Sequence, residues 1–165
     1  MASKTLIVLR HAKSSWNTPE TDIRRPLSSR GRADAVAAGE ILAGYTLDVV
    51  LASSATRVQE TWERAQLGGA ACADVRTSEA IYHAWAGELL GELHDLDESV
   101  HIALLIGHQP TLGDLIATLA KPSALTDRVS AKFPTAGLAV LTYRGAWKTL
   151  GAGKASLKRF EIPRG

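Results

Sequence analysis

The sequence predicts an α/β fold: a three-layer α/β/α sandwich with a mostly parallel central sheet and an antiparallel C-terminal edge. Two observations predict it. Over the first 120 residues, short apolar runs alternate with stretches of helical periodicity, the order that builds a parallel sheet covered by helices on both faces. Over the last forty, two strand-like runs flank a segment that carries Gly145, Gly151 and Gly153, which suits a hairpin. With 165 residues, the chain is expected to form a single domain, 1–165, around one good core.

The elements follow in order. Leu6–Leu9 is a run of branched apolar residues that reads as a strand buried on both faces. Ser28 or Ser29 can cap a helix from about Gly31 to Ala43, with Ala35, Val36, Gly39 and Leu42 on one face and Gly44 as its stop. Leu47–Ala52 is a second strand. Ser53 or Ser54 can cap a helix from Ala55 to about Gln66, ended by Gly68-Gly69. Glu88–Leu96 is amphipathic, and Val100–Ile106 is a third buried strand. Pro110 stands where a helix starts, and Thr111–Ala120 continues it until Lys121-Pro122. Residues 122–136 are expected to form a long irregular loop. Gly137–Tyr143 and Ala155–Ile162 are the closing strands, with Gly145, Gly151 and Gly153 between them.

Composition narrows the function classes. The chain is 45% apolar and 22% charged, with a net charge of +2, which does not suggest a nucleic-acid binder. A single cysteine, Cys72, rules out an intrachain disulfide and the usual zinc–cysteine clusters. No apolar run approaches the ~20 residues of a membrane span, and the first residues lack a signal-peptide pattern. A cytoplasmic protein, without nucleic-acid or membrane partners, is expected.

The chemistry gathers behind three strands. Arg10 and His11 follow the first, Arg57 lies one turn into the helix after the second, and Gly107-His108 follows the third. In a parallel sheet all three groups reach the C-terminal edge, where open α/β sheets bind ligands. Two arginines, two histidines and one or two helix N-termini in one pocket suit a phosphate. Guanidinium forks bond its oxygens, helix ends add free N–H groups, and a neutral histidine can attack phosphorus. Neither a metal nor another cofactor is needed for that chemistry.

The same residues carry a resemblance. Arg10-His11-Ala12 with Ser14, Trp16 and Asn17 resembles the Arg-His-Gly signature of the histidine phosphatase superfamily, which contains phosphoglycerate mutases and many phosphatases. Arg25-Pro-Leu-Ser-Ser-Arg-Gly31 is similar to that family's helix entry, Ser53-Ser-Ala-Thr-Arg57 through Thr61 to its second arginine block, and Gly107-His108 to its second histidine. Arg-His-Ala-Lys-Ser, the short length and Phe133–Val140 resemble the SixA-type phosphohistidine phosphatases most. Ala12 and Ala55 depart from a glycine and a frequent proline.

The resemblance implies a phosphoglycerate mutase-like fold and a metal-independent hydrolase with a covalent phosphohistidine intermediate on His11. It implies that Arg10, Arg57 and His108 bind and stabilise the phosphoryl oxygens, with Asn17 and Ser14 as further substrate-binding candidates. Ser14 could instead only shape the loop. Glu79 is a possible acid, or a surface glutamate before a loop. The implied substrate is a phosphorylated protein carrying phosphohistidine. The alternatives are a small phosphate ester on the same scaffold, which would need the acid, and a catalytically silent phosphate-binding adaptor. His83, His94 and His101 read as surface or sheet residues. Trp16 is placed at the pocket wall and Trp85 in packing or over a substrate. Arg24, Arg25, Arg30 and Arg32 read as a solvated helix entry or as a docking patch for an acidic partner.

Overall fold

A computed structural model of the chain describes residues 3–164. Its strands are β1 (Ser3–Arg10), β2 (Val49–Ser53), β3 (Val75–Ser78), β4 (Ile102–Gly107), β5 (Leu138–Arg144) and β6 (Ser156–Glu161). They form one sheet in the order β3-β2-β4-β1-β5-β6. β1 pairs parallel with β4, placing Arg10 opposite Gly107, and β4 and β3 both pair parallel with β2. β5 is antiparallel to β1, and β6 to β5. The expected mostly parallel sheet with an antiparallel C-terminal edge is therefore present.

Helices α1 (Ser29–Leu42), α2 (Thr56–Leu67), α3 (Glu79–His83), α4 (Ala86–His94), α5 (Thr111–Leu119) and α6 (Ala124–Ala131) supply the outer layers. Successive residues of β1 feed opposite cores, as the two-residue period of a strand requires. Ile7 and Leu9 pack with Val50, Leu104, Ala38 and Leu42 under α1 and α2. Leu6 and Val8 pack with Leu51, Leu105, Leu93, Leu115 and Ile116 under α4 and α5. Ile7, Val8 and Leu9 are all fully buried, and each such side chain contributes roughly 1.5–3 kcal/mol by leaving water.

The start of α1 and its packing on α2 follow from local chemistry. The Ser28 hydroxyl accepts the Gly31 N–H at 3.0 Å and caps α1. The Cβ of any residue replacing Gly39 would stand 1.9 Å from the Ala65 carbonyl oxygen, so a glycine there lets α1 and α2 touch backbone to backbone. The start of α2 differs from expectation. Its N-cap is Ala55, which has no capping side chain, and the Ser53 hydroxyl accepts the Ala55 N–H at 3.2 Å instead.

Three elements depart from the sequence expectation. Residues 122–136 are not a continuous loop, because α6 lies within them. Ser123 and Thr126 form a reciprocal cap at 2.8 and 3.2 Å, and Val129 alone of that helix is fully buried. β3 is an edge strand whose side chains are mostly exposed, so it lacks the apolar run that marks β1, β2 and β4. α3 is a single short turn capped by Ser78. No helix among the described residues is long and apolar enough to cross a membrane.

Candidate active site

The carboxyl ends of β1, β2 and β4 lie side by side and bring the expected residues together. Beyond β1 the chain is held from three directions. The His11 N–H donates to the Gly107 carbonyl at 3.1 Å, and the Ala136 N–H donates to the carbonyls of Arg10 and His11 at 3.2 and 3.1 Å. Ala136 takes the left-handed conformation, with φ of 60°. The Ala12 N–H donates to the fully buried Thr61 hydroxyl at 3.0 Å, which donates to the Arg57 carbonyl at 2.7 Å. The Lys13 carbonyl accepts the N–H of Ser28 at 2.9 Å and its hydroxyl at 3.1 Å. At Gly31 a Cβ would come within 2.0 Å of that same carbonyl oxygen.

The two imidazoles face each other, with ring centroids 5.4 Å apart. His11 is only 7% exposed. Its Nδ1 is 2.7 Å from the Ala12 carbonyl. A carbonyl can only accept, so Nδ1 carries the proton and Nε2 keeps a free lone pair. Burial, reinforced by the charges of Arg57 and Arg10, lowers the His11 pKa to about 3 against the pull of the Ala12 carbonyl. His108 has the opposite tautomer. Its Nδ1 faces Arg57 Nη2 at 3.4 Å, a group that can only donate, while its Nε2 meets the Ser53 hydroxyl at 2.8 Å. Burial first, and Arg57 second, lower its pKa to about 4. Both rings are therefore neutral near pH 7.

Three guanidiniums surround them. Arg10 Nη1 donates to the Phe133 carbonyl at 3.0 Å. Arg57 Nη1 donates to the Asp22 carbonyl at 2.7 Å and its Nη2 to Asp22 Oδ2 at 3.2 Å. The Nε atoms of Arg10 and Arg57 are buried without a partner among the described residues, a state that costs free energy unless something accepts from them. Arg25, also buried, donates through Nη1 to the Ser14 hydroxyl and through Nε and Nη2 to Asp22 Oδ1 at 3.3 and 3.2 Å. Its guanidinium stacks 3.6 Å from the Trp16 ring centroid. The Tyr82 hydroxyl donates to Asp22 Oδ2 at 2.5 Å. That bond, followed by the charge of Arg57, holds the Asp22 carboxyl down to about 2.

The resulting cavity, about 320 Å³, is lined by Arg10, His11, Lys13, Ser14, Trp16, Arg25, Arg57, His108, Gln109 and Thr135. Five of the candidates from the sequence, His11, Arg10, Arg57, His108 and Ser14, line it. Asn17 does not: it is exposed, and its N–H donates to the Ser15 hydroxyl at 3.2 Å. Glu79 does not either. Its side chain is 72% exposed and lies 3.6 Å from His83 Nε2. Arg25, read as part of a solvated helix entry, is instead buried in the wall. Trp85, read mainly as packing, is 69% exposed. Asp22, Tyr82 and Thr135 escaped notice because each reaches the site only through the tertiary fold. Arg25 could have been found, since it opens the Arg-Pro-Leu run.

A model of the histidine phosphatase superfamily, branch 1, matches residues 6–150. The chain belongs to this superfamily. Among curated proteins, an uncharacterized protein of Mycobacterium tuberculosis is 36% identical over 162 residues, covering 94% of this chain and all of that one. A counterpart in Mycobacterium leprae is 33% identical over 165 residues, again covering 94% of this chain and all of that one. Among solved structures, a protein of Nakamurella multipartitia provisionally assigned as phosphohistidine phosphatase SixA superposes with a TM-score of 0.88, at 28% identity over 100% of this chain and 99% of that one. Its counterpart from Agrobacterium tumefaciens gives 0.80, at 29% identity over 96% and 97%. The phosphoglycerate mutase-like architecture of this superfamily member is thus shared over 96–100% of the chain by these two structures.

Proposed function

We propose that the protein is a phosphohistidine phosphatase that forms a covalent phosphohistidine on His11 and acts on phosphohistidine carried by proteins. One observation carries the reading. The bond from His11 Nδ1 to the Ala12 carbonyl leaves a neutral, unprotonated Nε2 in a cavity lined by three arginines.

In the first step Nε2 attacks phosphorus as the bond from phosphorus to the substrate nitrogen breaks; the electron pair stays on that nitrogen, and the proton carried by the other nitrogen of the same substrate ring lets it leave as neutral imidazole. Arg10 and Arg57 offer their unpaired N–H groups to the phosphoryl oxygens, where charge develops. The incoming dianion offsets the arginine charge that adds to burial in holding His108 neutral. In the second step water attacks the phosphorus on His11, phosphate leaves, and Nε2 recovers its lone pair.

The leaving-group side supports phosphohistidine over a phosphate ester. Asp22 accepts bonds from Arg57, Arg25 and Tyr82 and holds no proton to give. Glu79 is outside the cavity. An alkoxide would need acid assistance worth ~10²–10⁴-fold, which an imidazole needs far less. The assignment of the 28% and 29% identical neighbours as SixA agrees with this. A cytoplasmic location is part of the same proposal.

The test is a rate comparison on a phosphohistidine protein and a set of alkyl phosphates, with acid-labile label trapped on the enzyme. Fast turnover of the first, slow turnover of the second, and loss of the trapped label in His11→Ala are expected. Label retained in His11→Ala, or esters turned over faster than phosphohistidine, would overturn the reading.

A further inference from the structure

Asp22 lies outside the cavity lining, yet it holds two of the three arginines that form it. It sits on a short 3-10 turn, Asp22–Arg24, between β1 and α1. Its carbonyl and Oδ2 take both terminal nitrogens of Arg57, at 2.7 and 3.2 Å. Its Oδ1 takes Nε and Nη2 of Arg25, at 3.3 and 3.2 Å. Its Oδ2 also receives the Tyr82 hydroxyl, and the Tyr82 ring stands edge-on to His108 with centroids 5.4 Å apart.

A guanidinium has two forks of N–H groups, one between the terminal nitrogens and one that includes Nε. Asp22 closes the terminal fork of Arg57. The fork that remains contains Nε, the atom buried without a partner. For Arg25 the pattern is the reverse: Asp22 takes the fork containing Nε, and Nη1 turns to Ser14 in the cavity wall. One carboxylate therefore sets the rotation of two cations and braces the aromatic ring against the second histidine.

We propose that Asp22 is a positioning residue, which fixes the guanidiniums of Arg57 and Arg25 so that their remaining N–H groups meet the transition state of phosphoryl transfer. This rests on the phosphatase reading for its kinetic consequence, but not for its consequence in anion binding. It is distinct from a stability role. The Asp22 side chain is 53% exposed, and ion pairs of that exposure add little to folding. It is also distinct from competition, in which Asp22 would merely occupy Arg57 and its removal would strengthen anion binding.

The experiment uses the full chain as wild type, Asp22→Ala and Asp22→Asn, with Asp22→Asn as the shape-preserving variant should Asp22→Ala fail to fold. Steady-state kinetics on a phosphohistidine protein are paired with calorimetric titration of orthovanadate, which mimics the five-coordinate transition state, and of inorganic phosphate. A misplacement of this kind lowers kcat by about 10–100-fold. Asp22→Ala is expected to show that fall with little change in KM, and to lose vanadate affinity more than phosphate affinity. Asp22→Asn, which keeps an accepting oxygen but turns an N–H toward one of its partners, should fall between it and wild type. Unchanged kcat and vanadate affinity in either folded variant would overturn the proposal, as would tighter vanadate binding. If wild type turns over no phosphohistidine but its vanadate affinity depends on Asp22, the functional reading falls and the positioning role stands.

Discussion

His11 and His108 are kept neutral by different means that add up. Burial disfavours the imidazolium, and the arginines that await an anion repel it further. The folded pKa of His11, about 3, lies below its unfolded value of ~6.5. The unfolded chain therefore binds a proton that the folded chain refuses, and stability is lost as pH falls from ~6.5 toward 3. Thermal melts from pH 7 to pH 4 should show wild type losing melting temperature through this window, with a shallower decline in His11→Gln. Equal slopes would mean that His11 is already charged in the folded protein. For the same reason kcat/KM should hold nearly level down to about pH 5 rather than fall near 6.5. At this scale Arg10, His11, Arg57 and His108 were legible because each directly follows a strand or opens the helix after one. Asp22 was not, since an acid in a loop looks solvated until the fold pairs it, whereas Arg25 stood in a quoted motif but gave no sign that the fold would bury it.

The elements contribute by clamping one stretch of backbone. α2 holds Ala12 through Thr61, α1 holds Lys13 through Ser28, and the turn before β5 holds His11 through Ala136. Gly31 is the tightest of these contacts. Gly31→Ala would push a methyl group into the Lys13 carbonyl, which should cost about 1–3 kcal/mol and shift the segment that carries His11. Gly91→Ala makes the control, because a Cβ there meets nothing within 4 Å and alanine suits a helix interior. Urea unfolding and kcat should both fall for the first variant, while the second unfolds at the same or a higher urea concentration. If the two behave alike, the clamp through α1 is not tight. The helices with long apolar periodicity, α1, α2 and α5, were readable in advance. α6 and β3 were not: one buries a single side chain fully and the other sits exposed at the sheet edge, so neither writes a pattern.

At the scale of the molecule, crossovers place β1 between β4 and β5, and the carboxyl ends of β4 and β2 beside it. The net charge of +2 hides a strong local imbalance, since Arg10, Lys13, Arg25 and Arg57 line one cavity and the Asp22 carboxylate contacts only Arg25 and Arg57 among them. Such a concentration draws anions by long-range attraction that salt screens over ~10 Å at 0.1 M. Raising ionic strength should therefore lower kcat/KM for a phosphorylated substrate and leave kcat nearly unchanged. A salt-independent kcat/KM would show that the cavity does not steer its substrate. The parallel strands β1, β2 and β4 and the antiparallel end could be read from the sequence pattern. The bulk composition averages the charge imbalance away, and only the positions of Arg10 and Arg57 after two strands hinted at it.

The stacking of Trp16 on Arg25 has a practical consequence. Trp16 is 76% exposed at the cavity mouth, and its ring lies against a cation whose other contacts run to Ser14 and Asp22. Indole emission responds to the field of a nearby charge, so an oxyanion settling beside that cation alters the light this side chain gives off. The protein carries an optical gauge of its own occupancy.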